Sequence, residues 1–151
     1  MKPTRVILTR DQRDAIYEEI EFAFERACGL PFMLEHGAGS SVDRDEARDL
    51  SAQLEVAVAL LDQIGWEPTG DRDHYLIEVD EAVNRFAARI ESFALAALDY
   101  NRERLLMSGE GASAATRRLI DTDLEKLQTA RTLRTAFKIT RGPGGRVALR
   151  A

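Results

Sequence analysis

The chain has 151 residues, of which 44% are hydrophobic and 31% are charged, and its formal net charge is −5 at neutral pH. This predicts a single soluble domain with its own core, and no stretch approaches the roughly 18 uninterrupted apolar residues of a membrane helix. With one cysteine, Cys28, an internal disulfide is excluded, and the early charges of the opening residues are not those of a signal peptide. We therefore expect a cytoplasmic protein with no membrane contact.

Charge is divided unevenly along the chain. Residues 1–112 carry a balance of −11, whereas residues 113–151 carry a balance of +6. The acidic part argues against nucleic acid as the main partner, because nucleic-acid binding needs a basic face. We expect the basic segment to fold back on the acidic part, the alternative being contact with an anionic partner.

The first element combines a short apolar segment with a helix start signal. Residues 6–8 predict a strand, and Thr9 with Gln12 forms a T-x-x-Q capping box, in which each side chain bonds the backbone of the other residue. The helix should run to about Cys28, and Gly29 should end it in the left-handed conformation.

A second helix follows a connecting segment. Residues 30–35 predict one short helical turn and residues 37–41 a loop, after which Asp43 and Glu46 repeat the capping pattern. Spacings of three and four place six apolar residues on one face: Ala47, Leu50, Leu54, Ala57, Leu61 and Ile64.

Residues 75–108 allow two interpretations. Steps of three and four continue through Leu76, Val79, Val83, Phe86, Ile90, Phe93, Ala97 and Tyr100, as one long helix would require. Residues 75–79 are nevertheless rich in aromatic and β-branched types, and Asp80 is a good helix cap, which favours a strand at 75–79 and a helix at 81–108. This stripe is long enough to serve a partner as well as the core, so we expect either a protein partner or self-association.

The last helix should be capped by Ser113, with an apolar stripe from Ile120 to Phe137. The sequence thus predicts a mainly α fold, a single-domain bundle of four principal helices over residues 1–141 with a Gly/Pro-containing tail at 142–151. A small sheet of two or three strands is expected, from residues 6–8 and 75–79 and, in the three-stranded form, 146–150.

Two motifs carry a resemblance. The opening LTRDQRDAIY and the turn LLDQIGW resemble a group of small helical proteins from high-GC bacteria, over about residues 7–100. In that group a short extended segment and then a long polar helix follow the turn, which supports a strand at 75–79. The resemblance implies no activity and supplies no functional residue.

Catalytic and metal-binding motifs are scarce. Neither histidine, His36 or His74, belongs to an E-x-x-H pair, and phosphate-loop and nucleophile-elbow motifs are absent from the sequence. Cys28 is expected to be a buried core thiol, because a helix C-terminus disfavours a thiolate. We therefore expect no cofactor, no metal and no catalytic residue.

One carboxylate pattern provides an alternative. Glu18 and Glu21 on the first helix, with Glu46 and Asp49 on the second, would converge if these helices are antiparallel neighbours. Four carboxylates could hold Mg²⁺, in an arrangement that resembles the all-α nucleoside triphosphate pyrophosphohydrolases. The same i,i+3 spacing arises easily in a chain with 26 acidic residues, and two of the four also suit a helix N-terminus.

The last helix carries Arg131, Arg134, Lys138 and Arg141 on one face. These cations could bind an anion or nucleic acid, contact a protein partner, or stabilise the helix C-terminus. Because no motif indicates a reaction, the sequence favours a non-enzymatic interaction or regulatory module that binds a protein partner or itself.

Overall fold

The computed structural model describes residues 4–29, 44–107 and 113–141, with side chains at 44–47, 113, 140 and 141 left aside. Within these ranges the chain forms two strands and four helices: β1 (Thr4–Thr9), α1 (Arg10–Cys28), α2 (Arg44–Ile64), β2 (His74–Val79), α3 (Glu81–Met107) and α4 (Ser113–Arg141). The mainly α prediction with a small sheet is confirmed. The turn at 30–35, the loop at 37–41, Asp43, the strand at 146–150 and the tail at 142–151 lie outside the described residues.

Helix start signals in the sequence are confirmed. The backbone N–H of Gln12 donates to the Thr9 hydroxyl and the backbone N–H of Thr9 donates to the Gln12 side chain. At the start of α3, the backbone N–H of Val83 donates to the Asp80 carboxylate at 2.8 Å. The expected left-handed Gly29 is wrong: its φ is −76°, and its N–H donates to the Glu25 and Arg26 carbonyls in the last turn of α1.

The sheet joins two segments that are distant in sequence. β1 pairs with β2 in antiparallel register, from Thr4 opposite Val79 to Thr9 opposite His74. Alternation places one face on the core, with buried Val6, Leu8, Tyr75, Ile77 and Val79. The strand interpretation of residues 75–79 is therefore the correct one.

The helices pack in two antiparallel pairs. α1 runs against α2, since Arg13 near the start of α1 donates to the Ile64 carbonyl at the end of α2. α3 runs against α4, since Asn101 meets Asp123 and Glu91 meets Arg134. The main core collects residues from both strands and all four helices. A separate small cluster holds only residues of α3 and α4: Ala94, Leu98 and Leu127, with Ile120 and Leu124 packed against them.

Several burial predictions are wrong. Leu54, expected at the centre of the α2 stripe, is only half-buried, whereas Leu60 beside the stripe is buried. Cys28, expected in the core, is exposed at the last residue of α1. Phe93 and Tyr100, expected on the core face of α3, are 56% and 61% exposed.

Candidate interaction site

The core face of α3 has a helical period. Its buried residues are Val83, Phe86, Ala87, Ile90, Ala94, Leu98 and Asn101. The stretch from Val83 to Asn101 covers about five helical turns and each turn contributes to the set, with Phe86 and Ala87 adjacent, so one straight face of the helix follows the core along its length.

A second apolar row lies beside this face, and all of its members are exposed except Ala97, which is half-buried. It consists of Phe93, Ala97, Tyr100 and Met107, with Arg104 between the last two, and we call it the α3 stripe. Its spacing of 3.5 residues drifts about 20° per heptad relative to a straight helix. The row that begins at buried Phe86 therefore turns away from the core, which is why the sequence pattern placed Phe93 and Tyr100 wrongly.

A groove continues this stripe between α2 and α3. It consists of two adjoining pockets that share Phe86 of α3: Val56 of α2 lines one of them, and Phe22 of α1 and Phe93 of α3 line the other. Phe22 is 61% exposed, so aromatic rings from two helices stand open to solvent beside one depression. We call this depression the α2–α3 groove.

An ion pair borders the groove. The Arg89 guanidinium donates to both oxygens of Asp49, at 2.9 and 3.2 Å, and joins α3 to α2. The hydrogen bond from Arg89 lowers the pKa of the Asp49 carboxyl below its usual value. Asp49 is thus engaged with an internal cation.

The four carboxylates singled out in the sequence have different surroundings. Glu18 lies 3.6 Å from the Lys126 ammonium on α4, whereas Asp49 is bonded to Arg89 on α3. Glu21 is half-buried on α1, and the side chain of Glu46 lies outside the described residues. The antiparallel α1–α2 pair is present as expected, and Glu18 and Asp49 turn toward cations on other helices.

Two of the four basic residues on the last helix bind the acidic part of the chain. Arg134 donates to Glu91 at 2.8 Å and Arg131 lies 3.6 Å from the same carboxylate. Lys138 is exposed, and the Arg141 side chain lies outside the described residues. The fold-back interpretation is confirmed for Arg131 and Arg134.

Lys126 adds a further internal contact. Its ammonium group donates to Glu19 at 2.9 Å. Burial alone would lower the pKa of Lys126, but the hydrogen bond to Glu19 and the charges of Glu19, Glu18 and Asp123 raise it above its usual value.

Sequence reasoning missed the most buried cation of the described residues, Arg13. Its guanidinium donates to the backbone carbonyls of four residues, the last residue of α2 and three in the turn that follows, and to the Asp14 carboxylate. The four carbonyls belong to Ile64, Gly65, Glu67 and Pro68.

The Arg13 side chain is also enclosed by aromatic rings. It is 1% exposed, and its guanidinium lies 4.7 Å from the centre of the Tyr17 ring and 5.6 Å from that of Tyr75. We call this arrangement the Arg13 centre. The only local signal for it is the RD pair within the opening motif.

The Arg13 centre fixes the turn between α2 and β2. Asp14 accepts the Gly70 N–H at 2.9 Å, and the Tyr75 hydroxyl accepts the Arg72 N–H at 3.0 Å. A β-carbon on Gly70 would stand 2.4 Å from the Tyr75 hydroxyl, so only glycine fits at this approach. These contacts are structural: the guanidinium is buried and its donors are directed at backbone carbonyls.

Histidine and cysteine side chains form no grouped site in the part of the chain that the structure describes. His74 is exposed at the start of β2, Cys28 is exposed on α1, and His36 is outside the described ranges. Over residues 4–29, 44–107 and 113–141, three or more metal-ligating side chains do not come together, and no helix is long and apolar enough to cross a membrane. Comparisons with protein-family models, curated proteins and solved structures found no match to this chain.

Proposed function

We propose that this chain is a non-enzymatic protein-interaction or regulatory module that binds its partner through the α3 stripe and the α2–α3 groove. One observation carries the proposal: Phe22, Phe93 and Tyr100 are each more than half exposed on adjoining surfaces. Scattered apolar residues are ordinary on protein surfaces, whereas contiguous aromatic residues mark interaction sites. Aromatic side chains are also the type most enriched in interface centres.

The charged side chains near these surfaces are paired with one another inside the chain, which supports binding through the apolar side chains. Asp49 is bonded to Arg89, Glu19 to Lys126, and Arg134 to Glu91. These pairs join one helix to another, so their charges hold the bundle together. In the α3 stripe, by contrast, Phe93 and Tyr100 leave more than half of their side chains exposed, and the Arg104 guanidinium lies 5.7 Å from the Tyr100 ring centre.

A cytoplasmic location belongs to the same proposal. Cys28 is an exposed free thiol, and a reducing compartment would keep it reduced.

Photo-crosslinking in cells tests the proposal. A benzophenone side chain placed at Tyr100 should crosslink to one discrete protein, whether another copy of this chain or a different protein. The same group at Ile7, which is 63% exposed on the outer face of the sheet, is the matched control. Equal crosslinking at both positions, or none at Tyr100, would contradict an interaction role for the stripe.

A further inference from the structure

We propose that the part of the α2–α3 groove between Phe22 and Phe93 takes one apolar side chain of a partner protein, and that Arg26 binds a carboxylate beside it on the same partner segment. We call this part of the groove the Phe22–Phe93 pocket. The inference rests on the proposed function and gives the chemistry of the partner.

The pocket lies where the bundle is least closely packed. α1 packs closely on α2 and α3 packs closely on α4, whereas α2 and α3 are packed much less closely on each other. Buried side chains form the floor of the pocket, and the Phe22 and Phe93 rings, which are both more than half exposed, form its rim. An incoming side chain would therefore contact the two rings without displacing any residue of the core.

The volume of the pocket limits what can occupy it. It measures about 90 Å³, well below the roughly 300–1,000 Å³ of sites that enclose a whole small molecule. A single aliphatic or aromatic side chain suits this space and can pack against the two rings. The rest of the partner would then bind outside the pocket, on the adjoining α3 stripe.

Four polar side chains of the described residues line the pocket, and three of them are engaged within the chain. Glu19 accepts a hydrogen bond from Lys126, while Arg89 and Gln53 both donate to the Asp49 carboxylate. Between them, Arg89 and Gln53 occupy both oxygens of Asp49. The charges of Glu19 and Asp49 are thus balanced by internal cations.

Arg26 is the fourth polar side chain and differs from the other three. It lies one turn after Phe22 on α1, so the two side chains share a face of that helix. It is exposed, and it lowers the pKa of Asp49 through its charge, whereas Arg89 bonds the same carboxylate directly. Because the oxygens of Asp49 are already bonded, the Arg26 guanidinium can donate to a carboxylate from another molecule.

The surroundings of Arg26 favour a carboxylate over a phosphate. A phosphate group carries a charge of about −1.5 to −2, and acidic neighbours oppose its binding. Asp49 lies within reach of the Arg26 charge, and Glu19 lines the same pocket. A singly charged carboxylate meets less repulsion there, which points to an acidic residue beside the apolar side chain of the partner.

Two small probes test this chemistry on the purified full chain. 3-Phenylpropionate combines an aromatic ring with a carboxylate, and 3-phenylpropionamide has the same shape without the charge. In NMR titrations, both probes should shift the signals of Phe22 and Phe93. The carboxylate should bind about three- to tenfold more tightly, because it adds a charge-assisted hydrogen bond to Arg26.

Arg26→Gln should remove this preference and leave the dissociation constant of the amide probe unchanged. Arg104→Gln is the matched control, because it removes a cation beside another exposed ring, that of Tyr100, and should keep the preference. Equal binding of the two probes to wild type, no binding at Phe22 and Phe93, or a preference that survives Arg26→Gln would overturn the proposal.

Photo-crosslinking in cells tests whether a protein supplies the side chain. A benzophenone side chain at Phe22 should crosslink to the protein that Tyr100 captures, and Arg26→Gln should lower the yield several-fold. Arg5→Gln, on the outer face of the sheet, is the control and should leave the yield unchanged. Crosslinks from Phe22 only to residues of its own chain would show that the pocket is filled from within, and would overturn the proposal.

The two proposals fail separately. If Tyr100 captures a discrete protein but the pocket shows no preference for the carboxylate probe, the partner chemistry is overturned and the interaction role stands. If Tyr100 captures no protein, the interaction role is overturned together with the inference that rests on it.

Discussion

The Arg13 centre differs from the outer hairpin, by which we mean the part of the α3–α4 pair around Ala94, Leu98 and Leu127. The two regions differ in how completely their polar and apolar groups are covered within the chain. Around Arg13, a guanidinium satisfies four carbonyls and a carboxylate, and every large side chain of the adjoining sheet face is buried. The outer hairpin has three buried apolar residues, while Tyr100, Leu106 and Met107 are exposed. In the first region the polar groups are paired and the apolar side chains are buried within one chain. In the second region several large apolar side chains remain exposed to solvent.

This difference separates the residues that stabilise the fold from those that are free to bind a partner. A buried network whose polar groups are all paired fixes one conformation and resists change. A thin two-helix cluster contributes little burial of its own, so additional contacts there would add most to its stability. We expect substitutions at the Arg13 centre to affect folding, and substitutions on the outer hairpin to affect association.

The largest effect should follow from Arg13→Met. Methionine keeps much of the buried volume but removes all the guanidinium donors, so the carbonyls at the end of α2 and in the following turn lose their donor, and Asp14 keeps only the Gly70 N–H. Loss of buried hydrogen bonds to a charged group should lower the free energy of unfolding by about 3 kcal/mol or more, measured by urea denaturation. Arg10→Met, at an exposed pair with Asp73, is the control and should cost under about 1 kcal/mol. Equal losses of unfolding free energy in the two variants would contradict a stabilising role for the Arg13 centre.

Gly70→Ala should be the next largest. The new methyl group would stand within contact distance of the Tyr75 hydroxyl, and Tyr75 is buried and bonded to the Arg72 N–H. We expect a loss of about 1–3 kcal/mol in unfolding free energy from overpacking. Gly29→Ala is the matched control, because its φ of −76° and the 3.5 Å approach to the Arg26 carbonyl accept a β-carbon. A stable Gly70→Ala variant would mean that the turn tolerates movement.

In the outer hairpin, the buried Asn101–Asp123 pair offers a graded test. The Asn101 amide donates to the Asp123 carboxylate at 2.9 Å, and both side chains are buried. Asn101→Leu alone should cost about 1–3 kcal/mol, because it leaves the Asp123 carboxylate without that donor. The double variant Asn101→Leu/Asp123→Leu should recover most of the loss, since an apolar pair replaces the polar one. A double variant worse than the single one, by thermal melting, would contradict this account.

The smallest effect concerns Lys126. Its pKa is raised in the folded state, so the stabilisation from its contact with Glu19 is fully present below the usual lysine pKa. It is lost as the pH rises through the folded-state value. Between neutral pH and about pH 11, the free energy of unfolding should therefore fall less in Lys126→Met than in wild type. We expect the two decreases to differ by under about 1 kcal/mol. Parallel pH profiles of the two proteins would contradict the prediction.

Sequence patterns predicted the parts of the fold that depend on neighbours along the chain. The capping box at Thr9 and the cap at Asp80 act within three residues, and the strand at 75–79 is marked by its own residue types. The apolar face of α4 is equally local, with Leu127 and Leu133 buried as expected.

What the sequence did not reveal depends on distant contacts. Arg13 meets carbonyls more than fifty positions away, and an arginine after a capping box looks like a surface residue until those carbonyls are placed. Cys28 and Leu54 follow apolar patterns, but burial depends on which helix lies opposite. Burial along α3 could not be predicted for the same reason. One row of apolar residues at regular spacing is buried in the core at Phe86 and exposed at Tyr100.

The pairing of β1 with β2 sets the order in which this protein can form during synthesis. β1 emerges from the ribosome before two helices and a turn, and it meets its partner strand only after Val79 has been made. Until then the apolar side chains of Val6 and Leu8 remain in water, because a lone strand cannot cover them. Local helices can form early, whereas the sheet pairs two segments that are distant in sequence, so we expect the sheet to close after the helices begin to form. A chain halted before residue 79 would leave its opening strand available to chaperones or to other nascent chains.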